Sequence, residues 1–173
     1  MSRFFRAKEL SMGFFVPKDR FERIWDIPVC FFEQQHIRWV FLDVDNTLTT
    51  HGHPQPDPRA LQWLNTCRDS GIGFVILSNN TPQRVQPFAA LLDLPFAAKA
   101  HKPLGCGVRR ALKMTGAKKE ESVVIGDQIF TDVLCGKFSG VRSILLRPIT
   151  PEAGRFFRIK RFLERKILKE EKR

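Results

Sequence analysis

Four short apolar runs do most to limit what this chain can fold into: residues 37–42 (IRWVFL), 73–78 (GFVILS), Ser122–Gly126 (SVVIG) and 141–146 (VRSILL). Each is strand-sized, rich in branched and bulky residues, and without polar alternation, as strands buried on both faces are. Between them lie segments of helical character: Pro58–Asp69 and residues 82–92, 104–114 and 130–138. Pro58 and Pro82 suit first-turn positions, and Gly71 and Gly116 suit helix ends. Strands alternating with helices of this length predict a doubly wound α/β fold, a parallel sheet covered on both faces. In such sheets ligands bind beyond the carboxyl ends of the strands. The residues that close each run are therefore the first place to look for chemistry.

The 173 residues fit one domain with some to spare. With 43% hydrophobic and 27% charged residues, neither a disordered nor a fibrous chain is expected. No apolar run approaches the ~20 residues of a spanning helix. Arg3, Arg6, Lys8 and Glu9 interrupt the first residues before a signal-peptide core could form, which argues against export. Cys30, Cys67, Cys106 and Cys135 show neither C-x-x-C spacing nor a paired pattern, so a cytoplasmic setting without a zinc site or disulfide framework is expected. The net charge of +11 is uneven: residues 1–25 carry six Lys/Arg against three Asp/Glu, residues 155–173 nine against three, and the remainder fourteen against twelve. The chain thus divides into a basic aromatic N-terminal arm (1–36), a nearly neutral core (37–150) and a basic amphipathic C-terminal helix (151–173). The ends, not the core, are expected to meet any anionic partner, phospholipid or nucleic acid.

The first run leads directly into Asp43-Val44-Asp45-Asn46-Thr47-Leu48, and the second closes on Ser78-Asn79-Asn80. Lys102-Pro103 precedes a helix, and the third run closes on Gly126-Asp127-Gln128, with Asp132 one helical turn later. Asp43, Asp45 and Asp127 in one crevice would repel one another strongly without a counter-charge. Magnesium answers that need, because it takes oxygen ligands, keeps several waters, and binds through one or two carboxylates together with a substrate phosphate. Lys102 adds positive charge for the remaining phosphate oxygens, and the Ser78 hydroxyl adds a donor. The constellation suits a phosphoryl group.

The order D-x-D-x-T, serine at a strand end, lysine, then G-D-x-x-x-x-D resembles the four signature motifs of haloacid dehalogenase (HAD) type phosphatases across residues 37–147. The strings DVDNTL, SNN, KP and GDQ-x-x-TD are similar to the YqeG-type group of subfamily III and the related phosphatidylglycerophosphate phosphatases. The resemblance implies a HAD-like Rossmannoid fold and a phosphoric monoester hydrolase. Asp43 would be the nucleophile that forms an aspartyl-phosphate, and Asp45 the general acid and then base. Magnesium would be held by the Asp43 and Asp127 carboxylates and the Asp45 backbone carbonyl. Ser78 and Lys102 would grip the phosphate, and Asn79 would either assist them or shape a turn. Asp132 would support a metal-bound water or Lys102 from behind. His51 and His53 lie in a polar, proline-rich loop expected to be exposed, and His101 has no assigned role.

Leu48 to Pro58 leaves about ten residues, and Asn80 to Lys102 about twenty, mostly filled by a helix and a short strand near residues 96–99, so no lid domain fits. Specificity then falls to a bulky substrate, a neighbouring subunit, or a surface on which substrate lies. Residues 155–173 place Phe156, Ile159, Leu163 and Ile167 at helical spacing, with Phe157 and Phe162 beside them and a polar face of Arg and Lys. A helix packed on the domain or a second subunit, a helix on an anionic membrane surface, and a helix on nucleic acid all fit. The arm containing Phe4, Phe5, Phe14 and Phe15 fits the same three. An open site, basic ends and the family resemblance together suggest phosphatidylglycerophosphate or another anionic lipid phosphomonoester as substrate, at the membrane periphery. The alternatives are a phosphatase of proteins, nucleotides or nucleic-acid ends, and an RNA- or ribosome-associated binding module. No residue from 155 onward is among those given to phosphorus or metal, so removing that segment is expected to spare soluble aryl-phosphate turnover.

Overall fold

The computed structural model describes residues 15–150 and 155–170, with the side chains of 155–157 and 169–170 outside that description. The order is β1 Asp19–Phe21, α1 Val29–Gln34, β2 Trp39–Leu42, α2 Pro58–Asp69, β3 Gly73–Leu77, α3 Pro82–Leu91, β4 Phe96–Ala97, α4 Cys106–Thr115 and β5 Ser122–Gly126. A π-helical stretch, Ile129–Val133, then runs into α5 Leu134–Ser139, followed by β6 Arg142–Leu146 and α6 Arg155–Glu170. All strand pairs are parallel, in the order β1-β6-β5-β2-β3-β4.

Alternation within each buried run sends side chains to opposite faces of the sheet. Val40, Leu42, Phe74, Ile76, Val123 and Ile125 join one apolar cluster. Phe41, Val75, Leu77 and Val124 join another, under α4 and α5. Proline begins α2 and α3 as expected, and the Asp57 carboxylate caps α2 by accepting from the Arg59 N–H at 2.9 Å. Gly116 ends α4 in the left-handed conformation. From the central β2 the chain winds outward to β3 and β4, then crosses to β5 and β6 on the other side. This reversal opens a crevice at the carboxyl ends of β2 and β5. Leu48 to Pro58 is turn-rich loop, and Asn80 to Lys102 holds only α3 and β4.

The first domain boundary differs from the sequence expectation. Residues 1–14 lie outside the described residues, but the rest of the expected arm belongs to the core. β1 pairs with β6 at the sheet edge, and Ile24, Ile27 and Phe32 are buried at 0%, 1% and 0% exposure in the larger cluster. Phe32 meets Trp63, whose indole N–H donates to the Ile27 carbonyl at 2.8 Å. Phe32→Ala should therefore cost about 3–5 kcal/mol in denaturant unfolding, whereas a residue in a loose arm would change stability by about 0.5 kcal/mol or less.

At the other end, α6 turns an unexpected face inward. Ile167 and Leu168 pack against Ile129, Val133 and Leu145, together with Phe15, and Glu164 is buried. Of the expected stripe Ile167 thus packs inward, whereas Ile159 and Leu163, with Phe162 beside them, face outward at 61%, 45% and 50% exposure. Among the described residues no helix is long and apolar enough to cross a membrane.

Candidate active site

Strand register brings the polar residues together. Leu42 stands opposite both Ile76 and Ile125, and the Asp43 N–H donates to the Ile125 carbonyl at 2.9 Å. Asp43, Ser78 and Asp127 therefore leave the sheet along one edge. The Lys102 ammonium, its side chain 4% exposed, lies 2.6 Å from Asp43 Oδ1 and 2.6 Å from Asp132 Oδ1. Asn79 fixes it there: its carbonyl oxygen accepts from the Lys102 N–H at 2.7 Å and its amide donates to the Lys102 carbonyl at 3.1 Å. Both ends of the Asn79 side chain thus bind the Lys102 backbone. The buried Ser78 hydroxyl accepts from the Asn80 N–H at 3.2 Å, which leaves its own proton to donate into the crevice.

Asp132 reaches back over β5 because the wide π-helical turn lifts it there and Gly126 leaves room. A Cβ on Gly126 would lie 2.3 Å from the Asp132 carboxyl carbon. Asp132 Oδ1 accepts from Lys102, and Oδ2 accepts from the Gln128 N–H at 3.1 Å. Ligand atoms of Asp43, Asp127 and Asp132 all lie within 4.8 Å of one another. The two Asp132 oxygens are engaged, while Asp127 Oδ1 is buried without any partner. Among the described residues, the buried side-chain atoms left in that condition are Asp127 Oδ1, Asn46 Nδ2 and Thr47 Oγ1. All three sit in the two loops that leave β2 and β5, where a cation and an anion would satisfy them.

Asp45 occupies the outer half. Its Oδ1 accepts from the Gly52 N–H at 2.8 Å and its Oδ2 from the Asn80 amide at 3.1 Å, with Arg84 3.6 Å away. The exposed His51 approaches it to 3.7 Å. Asn46, at φ 60°, takes the left-handed conformation that asparagine tolerates better than most residues. Its Oδ1 accepts from the Thr150 N–H and hydroxyl, at 3.1 and 3.0 Å. A cleft of about 450 Å³ opens beside Asp45, lined among others by Ser78, His53, Arg84, Val85 and Phe88. His101 is exposed.

Crowding of carboxylates sets the electrostatics. Burial, only partly offset by Lys102, pushes the Asp43 carboxyl up to about 6. Burial likewise lifts Asp127 well above the usual carboxylate range against the pull of Arg161. For Lys102, burial opposes the charge, but Asp132 and Asp43 together outweigh it and hold the ammonium above its ordinary value. Acids raised in this way bind protons more tightly folded than unfolded, so their contribution to stability is complete below the unfolded value and is lost as pH rises through the folded one. Chelated protein should accordingly lose stability between about pH 4 and about pH 6, while a bound divalent cation, which needs the carboxylates ionised, should restore it. The difference in Tm between magnesium and EDTA should widen with pH across that window; a constant difference would contradict the assignment.

The sequence pointed to none of the contacts that α6 makes here. Arg161 donates from Nη2 to Asp127 Oδ2, and from Nη1 to the Asp127 carbonyl at 2.6 Å and to Glu164 Oε2 at 3.0 Å. Glu164 Oε1 accepts from the Ile129 N–H at 2.8 Å, at the start of the π-helical turn. Lys160 donates to the Gln128 side chain. The expectation that removing the C-terminal segment spares the site is therefore corrected: three of its residues, Lys160, Arg161 and Glu164, bear on the loop that carries Asp127.

Residues 33–140 match the family model described as haloacid dehalogenase-like hydrolase. The chain is 38% identical over 160 residues, 92% of its length and 93% of the relative's, to the Bacillus subtilis (strain 168) protein named "Probable phosphatase YqeG". It superposes on an uncharacterized Listeria monocytogenes serotype 4b protein with a TM-score of 0.56 at 17% identity, covering 68% of this chain and 85% of the other. The cobalt-bound deoxy-D-mannose-octulosonate 8-phosphate phosphatase of Haemophilus influenzae gives 0.54 at 17% identity, covering 74% and 77%. At these identities the two structures speak for the fold alone.

Proposed function

Because the chain belongs to the haloacid dehalogenase-like hydrolases and is a phosphatase, we propose that it is a magnesium-dependent phosphomonoesterase with Asp43 as nucleophile. The observation that carries this reading is the division of labour between two neighbouring aspartates. Asp43 is braced by Lys102 inside the acidic cluster, and Asp45 is held at the adjoining cleft by Gly52 and Asn80. An Asp43 oxygen attacks phosphorus, the ester P–O bond breaks, and Asp45 gives its proton to the leaving alkoxide. Asp45 then takes a proton from the water that attacks the aspartyl-phosphate, which frees inorganic phosphate and restores both carboxyls. Lys102 and the Ser78 hydroxyl orient the phosphoryl oxygens, and Asp132 keeps Lys102 in place. Magnesium, held by the Asp43 carboxylate, Asp127 Oδ1 and, on the family pattern, the Asp45 backbone carbonyl, would supply neutralisation of charge on those oxygens.

The substrate class we propose is an anionic lipid phosphomonoester such as phosphatidylglycerophosphate. Support comes from the outward face of α6, where Ile159, Phe162 and Leu163 are flanked by Arg158, Arg165 and Lys166. Apolar insertion and attraction to anionic headgroups add together on such a face. Exposed apolar side chains add nothing to the attraction of a phosphodiester backbone, which favours lipid over nucleic acid. The cleft beside Asp45 likewise joins Arg84 to apolar Val85 and Phe88.

Aryl phosphate should be hydrolysed with magnesium and not with EDTA. Lipid phosphate in anionic vesicles should be hydrolysed too, and replacing Arg158, Arg165 and Lys166 with Gln should weaken vesicle binding by about 1 kcal/mol per residue while sparing aryl-phosphate turnover. Turnover in EDTA would contradict the metal role. Salt-dependent binding to RNA without sedimentation on vesicles would replace the lipid assignment.

A further inference from the structure

We infer that Arg161 is a positioning residue for the metal site, gripping Asp127 from behind so that its remaining oxygen stays aimed at the acidic cluster; this rests on the proposed metal role of Asp127. Asp127 is 1% exposed, and its side chain hangs from the short loop between β5 and the π-helical turn. A carboxylate rotating freely there would present either oxygen, or neither, to a cation. The guanidinium removes that freedom by holding the Asp127 backbone carbonyl and Oδ2 with two different nitrogens, the planar fork that suits arginine to paired acceptors. Oδ1 is then the one oxygen of Asp127 left over, buried and without a partner, on a carboxylate that comes within 4.8 Å of ligand atoms on Asp43 and Asp132.

The grip is itself held in place. Glu164, its side chain 6% exposed, accepts from Arg161 with one oxygen and from the Ile129 N–H with the other. One turn of α6 thus clasps both ends of the loop that carries Asp127. Buried charge is costly, yet α6 places Arg161 and Glu164 on its inward side, beside Ile167 and Leu168, while Ile159 and Leu163 lie outside. The packing of Ile167 and Leu168 does not call for the two charges beside them, whereas the orientation of a metal ligand accounts for both. Groups that orient a ligand without touching the ion typically matter about 10–100-fold in metal affinity.

The test is calorimetric titration of the chelator-treated full chain with magnesium chloride, alongside thermal unfolding. Arg161→Gln should weaken the magnesium Kd by about 10-fold or more, and added magnesium should recover most of the lost aryl-phosphate turnover. Arg161→Lys, which keeps the charge but not the fork, should recover only part of the affinity. Ile167→Ala loosens the same helix without touching Asp127, and should lower Tm with less than about a threefold change in Kd, well below the range for ligand-orienting groups. An Arg161→Gln Kd within about twofold of the parent's, or tighter because a nearby positive charge has gone, would overturn the inference, since it falls outside that range. So would an equal loss in Ile167→Ala. Asp127→Asn separates the two levels: if the parent binds magnesium no better than Asp127→Asn does, the metal role itself fails, and the inference with it.

Discussion

Asp43→Asn should abolish phosphatase turnover by several orders of magnitude while leaving the fold as stable as before or more so. The two halves of that expectation come from the same buried carboxylate. An amide has no anionic oxygen with which to attack phosphorus, and an enzyme that loses its nucleophile keeps only what binding and positioning contribute. The carboxylate is also a cost in the metal-free fold, since burial has pushed it up to about 6, so near neutral pH its ionised form is held against its preference. Asparagine removes that cost, and Lys102 keeps Asp132 as a partner at 2.6 Å. Activity lost together with a large fall in Tm would mean that Asp43 is structural.

Deleting residues 155–173 should reduce soluble aryl-phosphate turnover by about 100-fold or more, because the deletion removes two groups that act behind a ligand. It takes away Arg161 from Asp127 and Glu164 from the Ile129 N–H, leaving a buried carboxylate and a helix-entry donor unpaired. Apolar Ile129, Val133 and Leu145 also lose Ile167 and Leu168 from their surface. A drop in Tm should accompany the loss, since partly burying two aliphatic side chains contributes on the order of 1–2 kcal/mol each. Turnover of the truncated chain at the parent rate would return α6 to the purely peripheral role that its sequence suggests.

What was legible in the sequence was the part of the site that the sheet itself builds. Runs such as IRWVFL and SVVIG are apolar because both faces of the sheet are covered, and each stops where a polar residue must leave it, so Asp43, Ser78 and Asp127 were marked by the ends of their strands. Less legible was β1. Three residues, Asp-Arg-Phe, form an edge strand with too little apolar character to read as one. Ile24, Ile27 and Phe32 carried a better signal, but basic neighbours and the absence of a long run concealed it. Asn79 was visible as a polar strand-end residue, yet its partner is a backbone 23 residues away. The contacts of α6 were hidden for a stronger reason. Amphipathic spacing marks an apolar stripe, of which Ile167 does pack inward, but nothing in it shows that a loop 34 residues earlier takes Arg161. Only the folded arrangement of charges decides which face turns inward.

The most direct test of the account is to quench the magnesium-loaded enzyme with acid during turnover of a radiolabelled phosphomonoester, and to locate the label by peptide mapping. Label on the peptide containing Asp43 is expected in the parent, and none in Asp43→Asn. Turnover by the parent with label on another residue, or continued turnover by Asp43→Asn, would contradict the claim that Asp43 takes up the phosphoryl group.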